Sequence, residues 1–250
     1  AWSSGAVVND IFYVTDKVNV YAIDVENRVI KDKVQYYTGT INSTYNASAG
    51  VVYDEDNDRL FWGSKKEMKL FSVEVAASGG FVNSTLISAD TKINAVTTPV
   101  VYDGKVYLVG QGGFKTSTVA QVFEYKNDVI SLVYDVATAA ATAAGTAKVS
   151  TIQCNPILVK NSQGNVNLYL SEQQGDLYVL KTTGSAGTLV QLADTPNLSG
   201  ITYPWSYEQI AMDKDGSIYC YNESGYLFCY KKASCQVPNI TVDLDTNQVK

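Results

Sequence analysis

The sequence predicts an all-β fold, a β-propeller of about five four-stranded antiparallel blades. Three observations predict it. One pattern recurs five times along the 250 residues at a period of about 50. Short alternating or apolar runs are joined by Asp-Gly and Asn-containing turns, the signature of antiparallel hairpins. No helical period competes, and the alanine-rich VATAAATAAGTA reads as an insertion between blades.

The elements follow in order as one domain over 1–250, with blades at about 1–40, 46–90, 95–137, 150–194 and 203–245. Each copy has an apolar first strand, a turn, an aromatic-bearing second strand, another turn and an aromatic-bearing third strand. The copies read GAVVNDIFYVTDKVNVYAIDV, GVVYDEDNDRLFWGSKKEMKLFSVEV, PVVYDGKVYLVGQGGFKTSTVAQVFEYK, PILVKNSQGNVNLYLSEQQGDLYVLK and QIAMDKDGSIYCYNESGYLFCYKK. A fourth, outer strand follows each: RVIKDKVQYY, NSTLISA, VISLVYDV, TLVQLA and NITVDL. Sheets of this size stack face to face around an axis.

The aromatics establish the period. Those of the third strands, Tyr21, Phe71, Phe123, Tyr178 and Phe228, are spaced 50, 52, 55 and 50 apart. Those of the second strands are Phe12, Phe61, Tyr107, Tyr169 and Tyr219. Their expected job is to fill the space between neighbouring blades. Two geometries remain open, a closed five-bladed ring or part of a seven- or eight-bladed one. The closed ring is favoured because the first and last copies both supply four strands.

Composition narrows the partners. Lys and Arg total 19 against 25 Asp and Glu, a net charge of −6, so no basic stripe is available for a phosphate backbone and nucleic acid is not expected. No apolar run approaches the roughly 18 residues that cross a bilayer, so direct membrane insertion is not expected either. The opening AWSSGAVV already reads as an incoming strand, and any export signal would lie upstream. Few lysines with abundant Asn, Ser, Thr and Tyr suit an extracellular or cell-surface protein.

The chain has four cysteines and no histidine, so the usual zinc ligand sets and Ser-His-Asp or Cys-His nucleophile systems are not available. Three of the cysteines, Cys220, Cys229 and Cys235, lie near the end, with Cys154 earlier. Free thiols are the simpler expectation. The sharper alternative is a hairpin turning at Ser224-Gly225 that sets Cys220 opposite Cys229, close enough for a disulfide, an arrangement that a one-residue slip would remove.

Binding residues are sought in the segments that lead into the first strands, AWSSG, YNASAG, AVTTP, IQCNP and PWSYEQ, which approach the channel mouth. Trp2, Tyr45, Asn46, Gln153, Trp205 and Tyr207 combine aromatic faces with amide donors, a mixture suited to a carbohydrate or peptide. The competing role for Trp2 and Trp205 is packing of a closure seam. Asp54, Asp56 and Asp58 have the alternate spacing that opens a calcium loop, but Arg59 stands where its glycine belongs and Glu67 misses the twelfth position. With Asp103, Asp213 and Asp215 they fall in turns after first strands, where Asp is favoured for turn geometry. Asn-x-Ser/Thr triplets begin at Asn42, Asn46, Asn83, Asn197, Asn222 and Asn239.

VVYDGKVYLVG and AMDKDGSIYCYNESGYLFCYKK resemble the repeats of quinoprotein-like (pyrroloquinoline-quinone-like) β-propellers, whose order is strand, Asp-Gly turn, Ile-Tyr strand and Gly-Tyr-Leu strand. The resemblance covers nearly the whole chain. Family repeats continue into Ala-x-Asp-x-x-Thr-Gly and a docking tryptophan. Here Ala22 and Asp24 match, Asn27 and Arg28 replace Thr-Gly, Thr183-Gly184 echoes it, and no docking tryptophan follows. The family's quinone-dependent dehydrogenases place cofactor and calcium beside a disulfide of adjacent cysteines, which this chain lacks, so no cofactor is expected. The resemblance implies the fold and, without the quinone, a scaffolding or binding module of an exported protein.

The expected function is therefore a non-catalytic binding or scaffolding propeller of a larger exported or surface protein. Its partner would be a protein or carbohydrate, beside other domains of a longer chain. The alternatives are a carbohydrate-active enzyme using two carboxylates roughly 5 to 9.5 Å apart and a purely structural spacer.

Overall fold

The computed structural model describes residues 4–40, 49–94, 97–112, 118–137, 152–173, 175–193, 209–231, 242–243 and 248–249. All described elements are β-strands. The first sheet comprises β1 (Ala6–Val8), β2 (Ile11–Thr15), β3 (Asn19–Asp24) and β4 (Val29–Gln35), and the second β5 (Val52–Asp54), β6 (Arg59–Ser64), β7 (Lys69–Val75) and β8 (Phe81–Asp90). A short pair, β9 (Ile93–Asn94) with β12 (Gln111–Gly112), flanks the third sheet, which comprises β10 (Val100–Tyr102), β11 (Lys105–Val109), β13 (Thr118–Lys126) and β14 (Val129–Ala137). The fourth has β15 (Ile157–Lys160), β16 (Val166–Ser171), β17 (Leu177–Thr183) and β18 (Ala186–Ala193). The fifth has β19 (Ala211–Met212), β20 (Ile218–Tyr221) and β21 (Leu227–Tyr230).

Each of the five blade sheets is an antiparallel meander in sequence order, the propeller blade the repeat predicts. The fourth strand expected in the last blade is not in place among the described residues. Of NITVDL, Val242–Asp243 (β22) pairs instead with Gln248–Val249 (β23), and residues 239–241 and 244 are outside the description. The four outer strand pairs each carry a register shift, at Ala22/Ile23, Val73/Val75, Val122/Phe123 and Leu177/Tyr178 among others. Such bulges add local twist where a blade is widest.

The blades stack serially, and the pleat explains how. Side chains alternate across a strand, so a central blade has one face for its predecessor and one for its successor. In β6, Leu60 and Trp62 join the core against the first sheet, whereas Phe61 between them joins the core against the third. The third-strand aromatics Phe71, Phe123, Tyr178 and Phe228 all face the preceding blade. Phe61, Tyr107 and Tyr169 of the second strands all face the following one. Each interface thus receives one aromatic from either side, as the repeat implies.

The first blade departs from that expectation. Tyr13, 1% exposed, faces the second sheet, and Phe12 points the other way. Tyr13 therefore takes the place assigned to Phe12.

Among the described residues, no apolar core closes the ring. Four apolar cores join sheets one to two, two to three, three to four and four to five; among the described residues none joins five to one. Val7, Val25 and Ile30 of the first sheet and Tyr221 and Leu227 of the fifth are exposed.

Candidate functional site

The lead-in segments converge as the sequence suggests, but through residues it does not single out. Ser4, Gly50, Thr98 and Asn155 each stand two residues before a first strand, β1, β5, β10 and β15. Thr98 N–H donates to Asn155 Oδ1 at 2.7 Å, and the hydroxyls of Ser4 and Thr98 are 2.5 Å apart. Val51 N–H donates to the Ser4 carbonyl at 3.0 Å.

A hydrogen bond from the first blade to the third is possible only near the axis, where inner strands draw together. The second blade must then yield the space. Gly50 does so: a Cβ there would lie 2.0 Å from Ser4 Oγ and 2.1 Å from Thr98 Oγ1, a clash with no room to relax cheaply.

Buried threonines hold this rim in place. Thr15 Oγ1 donates to the Ala49 carbonyl at 3.1 Å, and Thr97 Oγ1 donates to the Val109 carbonyl. Each ties a lead-in segment to a strand of the blade body. The fifth blade carries Gln209 at the equivalent position, exposed. The rim offers hydroxyls, amides and backbone groups, which can donate to and accept from a polar ligand.

Of the candidates read from sequence, Gln153 is half-buried two residues before Asn155, beside buried Cys154. Trp2, Tyr45, Asn46, Trp205 and Tyr207 lie outside the described residues. The signal that could have found the rim is positional, a small polar residue or glycine two places before each first strand.

The acidic turns lie at the other end of the first strands. Asp54, 4% exposed, accepts from Asp56 N–H at 3.2 Å and from Asn57 Nδ2 at 2.8 Å, and Asp58 accepts from the Tyr53 hydroxyl. That hydrogen bond pushes the Tyr53 phenol up to about 12. The carboxylates of Asp54 and Asp58 are thus engaged within the turn. Among the described residues, no three acidic or thiol groups converge where a metal could sit. Two open clefts lie between blades on this side, one of about 460 Å³ beside Asp10, Asp24 and Asp58, and one of about 430 Å³ between Tyr53–Asp56 and Val101–Asp103.

The disulfide expectation is corrected by register. Asn222 Oδ1 accepts from Tyr226 N–H at 3.1 Å, closing a three-residue loop in which Gly225 has φ +83°. That loop pairs Tyr221 with Leu227, hence Cys220 with Phe228 and Cys229 with Tyr219. The two thiols point to opposite faces, Cys220 buried against the fourth sheet and Cys229 exposed, and both are free. The Asn222 amide of one Asn-x-Ser triplet is itself 2% exposed.

No family model and no curated protein matches the sequence. Solved structures do match. A Lactobacillus plantarum protein aligns with a TM-score of 0.60 at 13% identity over 92% of this chain and 70% of its own. A chain of the mitotic checkpoint complex aligns with a TM-score of 0.59 at 12% identity over 91% of this chain and 62% of its own. The Pseudomonas aeruginosa periplasmic gluconolactonase aligns with a TM-score of 0.54 at 12% identity over 91% of this chain and 69% of its own. This chain thus spans between three fifths and seven tenths of these neighbours, and what it shares with them is the β-propeller-like fold.

Proposed function

We propose that the chain is a non-catalytic binding or scaffolding module of the quinoprotein-like repeat class. It works outside the cell or at its surface and engages a protein or carbohydrate through the rim of lead-in segments. One observation carries this reading: four consecutive blades place Ser4, Gly50, Thr98 and Asn155 at equivalent positions in one hydrogen-bonded cluster near the axis. The donors and acceptors of that cluster are uncharged, which suits recognition of hydroxyl and peptide groups better than proton transfer at neutral pH.

Glycan-array and peptide-library binding by the 250-residue chain tests it. Binders are expected, and Asn155→Ala and Thr98→Val should weaken them at least tenfold while leaving the thermal midpoint within a few degrees. If binding is absent, or unaffected by both variants, the rim is not the recognition surface.

A further inference from the structure

The outward faces of the first and fifth sheets are built like the internal interfaces, and no described blade covers them. Tyr21 is the third-strand aromatic of the first blade, and Val14↔Tyr21 and Phe12↔Ile23 pair beside it on the face turned away from the second sheet. Val7, 66% exposed, and Ile30, 60% exposed, extend that face, and an apolar groove runs between Val7, Phe12, Ile23 and Val25. At the other end Tyr219 is the second-strand aromatic of the fifth blade. It shares its face with Tyr221, Cys229 and Leu227, the last 69% exposed.

The internal interfaces show what such faces receive. A face bearing a third-strand aromatic shares its core with the second-strand aromatic of the blade before it: Phe71 with Tyr13, Phe123 with Phe61, Tyr178 with Tyr107 and Phe228 with Tyr169. Tyr21 and Tyr219 are the two halves of this pairing without a counterpart blade among the described residues. The Lactobacillus neighbour, matched over 70% of its length, has the remaining 30% beyond the match. At the period seen here that remainder is about two blades, and the total lies within the usual propeller range of four to eight.

We propose that these faces are docking surfaces for two further blades of the same repeat, together about 100 residues, which complete the ring. One presents a second-strand aromatic to Tyr21, and the other a third-strand aromatic to Tyr219. Packing rather than charge holds them, as in the internal cores, and the rim then continues with two more lead-in segments around the axis.

Cys229 is the reporter, since it lies exposed on the fifth-blade face. Its alkylation rate is measured in the 250-residue chain and in the protein purified from its natural source, together with the intact mass of the latter. The expected result is labelling at least tenfold slower in the source protein, with a mass above 27.2 kDa by about two blades. Equal rates overturn the proposal. So does intramolecular cross-linking of Val7→Cys to Cys229 by a short bis-maleimide, since the five blades would then close on themselves. A stoichiometric dimer of the 250-residue chain that protects Cys229 and is dispersed by Val7→Lys or Leu227→Lys also overturns it, because a second copy would be the occupant.

Discussion

The second blade and the first are built from the same repeat, yet their second strands are buried differently. Every residue of β6 is buried, whereas β2 alternates between buried and half-buried positions. The fifth blade resembles the first: β20 buries one face and leaves the other partly open, and β21 alternates between exposed and half-buried positions. The difference teaches that a blade's sequence does not determine how far it is buried. That depends on whether a neighbour stands on each side, as expected for a quasi-one-dimensional array in which each repeat contacts only its neighbours.

The sharpest way to break this comparison is to truncate a side chain in each setting. Trp62 is fully buried, stacked on Phe71 with ring centroids 5.8 Å apart and edge-on to Tyr36 at 5.7 Å. Trp62→Ala should cost about 3–5 kcal/mol in urea unfolding. Val7→Ala, on the open face of the 250-residue chain, should stay within about 0.5 kcal/mol. Equal losses would mean that the first blade's outer face is packed after all.

The two faces of the fifth blade can be compared by their thiols. Burial pushes Cys220 from 9.0 up to about 12, so its thiolate fraction falls roughly a thousandfold. Peptide mapping after brief alkylation should find Cys229 modified and Cys220 intact. Comparable labelling would show that the fourth and fifth sheets separate readily.

Charge gives a smaller contrast. Arg59 is 3% exposed, with Nε 3.0 Å from Ser72 Oγ, the guanidinium 4.9 Å from the Tyr125 ring centre, and Asp128 and Glu74 at 3.3 and 3.5 Å. Removing it opens space between the second and third sheets and strips a buried hydroxyl of its donor, so Arg59→Ala should cost about 2–3 kcal/mol. Arg59→Met should recover part of that through packing. The exposed Lys214–Asp215 pair should contribute almost nothing when Lys214 becomes Ala.

The smallest effect is a pH dependence shared by both terminal blades. Burial raises the Asp16 carboxyl, but the N–H groups of Asn19 and Val18 and the Tyr21 hydroxyl more than offset it, leaving it below its ordinary 3.8. Asp213 is held low chiefly by Ser217 N–H, and also accepts from the Tyr219 hydroxyl. Groups depressed on folding stabilise the native state above their unfolded value, and that contribution disappears as pH falls through the lower folded value. Stability should therefore decline below about pH 4, and Asp16→Asn with Asp213→Asn should flatten the decline in denaturation curves.

Much of the architecture was legible because packing demands repeat with the blade. Phe71, Phe123, Tyr178 and Phe228 recur since each must fill the same gap, so their spacing exposes the period. What stayed hidden depends on a single residue of register or on convergence from distant segments. Phe12 and Tyr13 are adjacent aromatics, and only the sheet decides which faces the neighbour. Cys220 and Cys229 invite pairing until the Asn222 loop shifts the count by one. Ser4, Thr98 and Asn155 are marked only by their place two residues before a first strand, and their meeting is made by three separate blades. Gly50, among many glycines, is distinguishable only once its neighbours crowd it.

Serial stacking also bears on how the chain is made. Each of the five blade sheets is a meander of consecutive strands, and each docks on the one before it, so every blade packs on a surface that precedes it in the chain. As the ribosome delivers one blade, its predecessor already offers the surface on which it condenses. At every moment a single new face is left uncovered, and the nascent chain carries its one vulnerable edge forward with it.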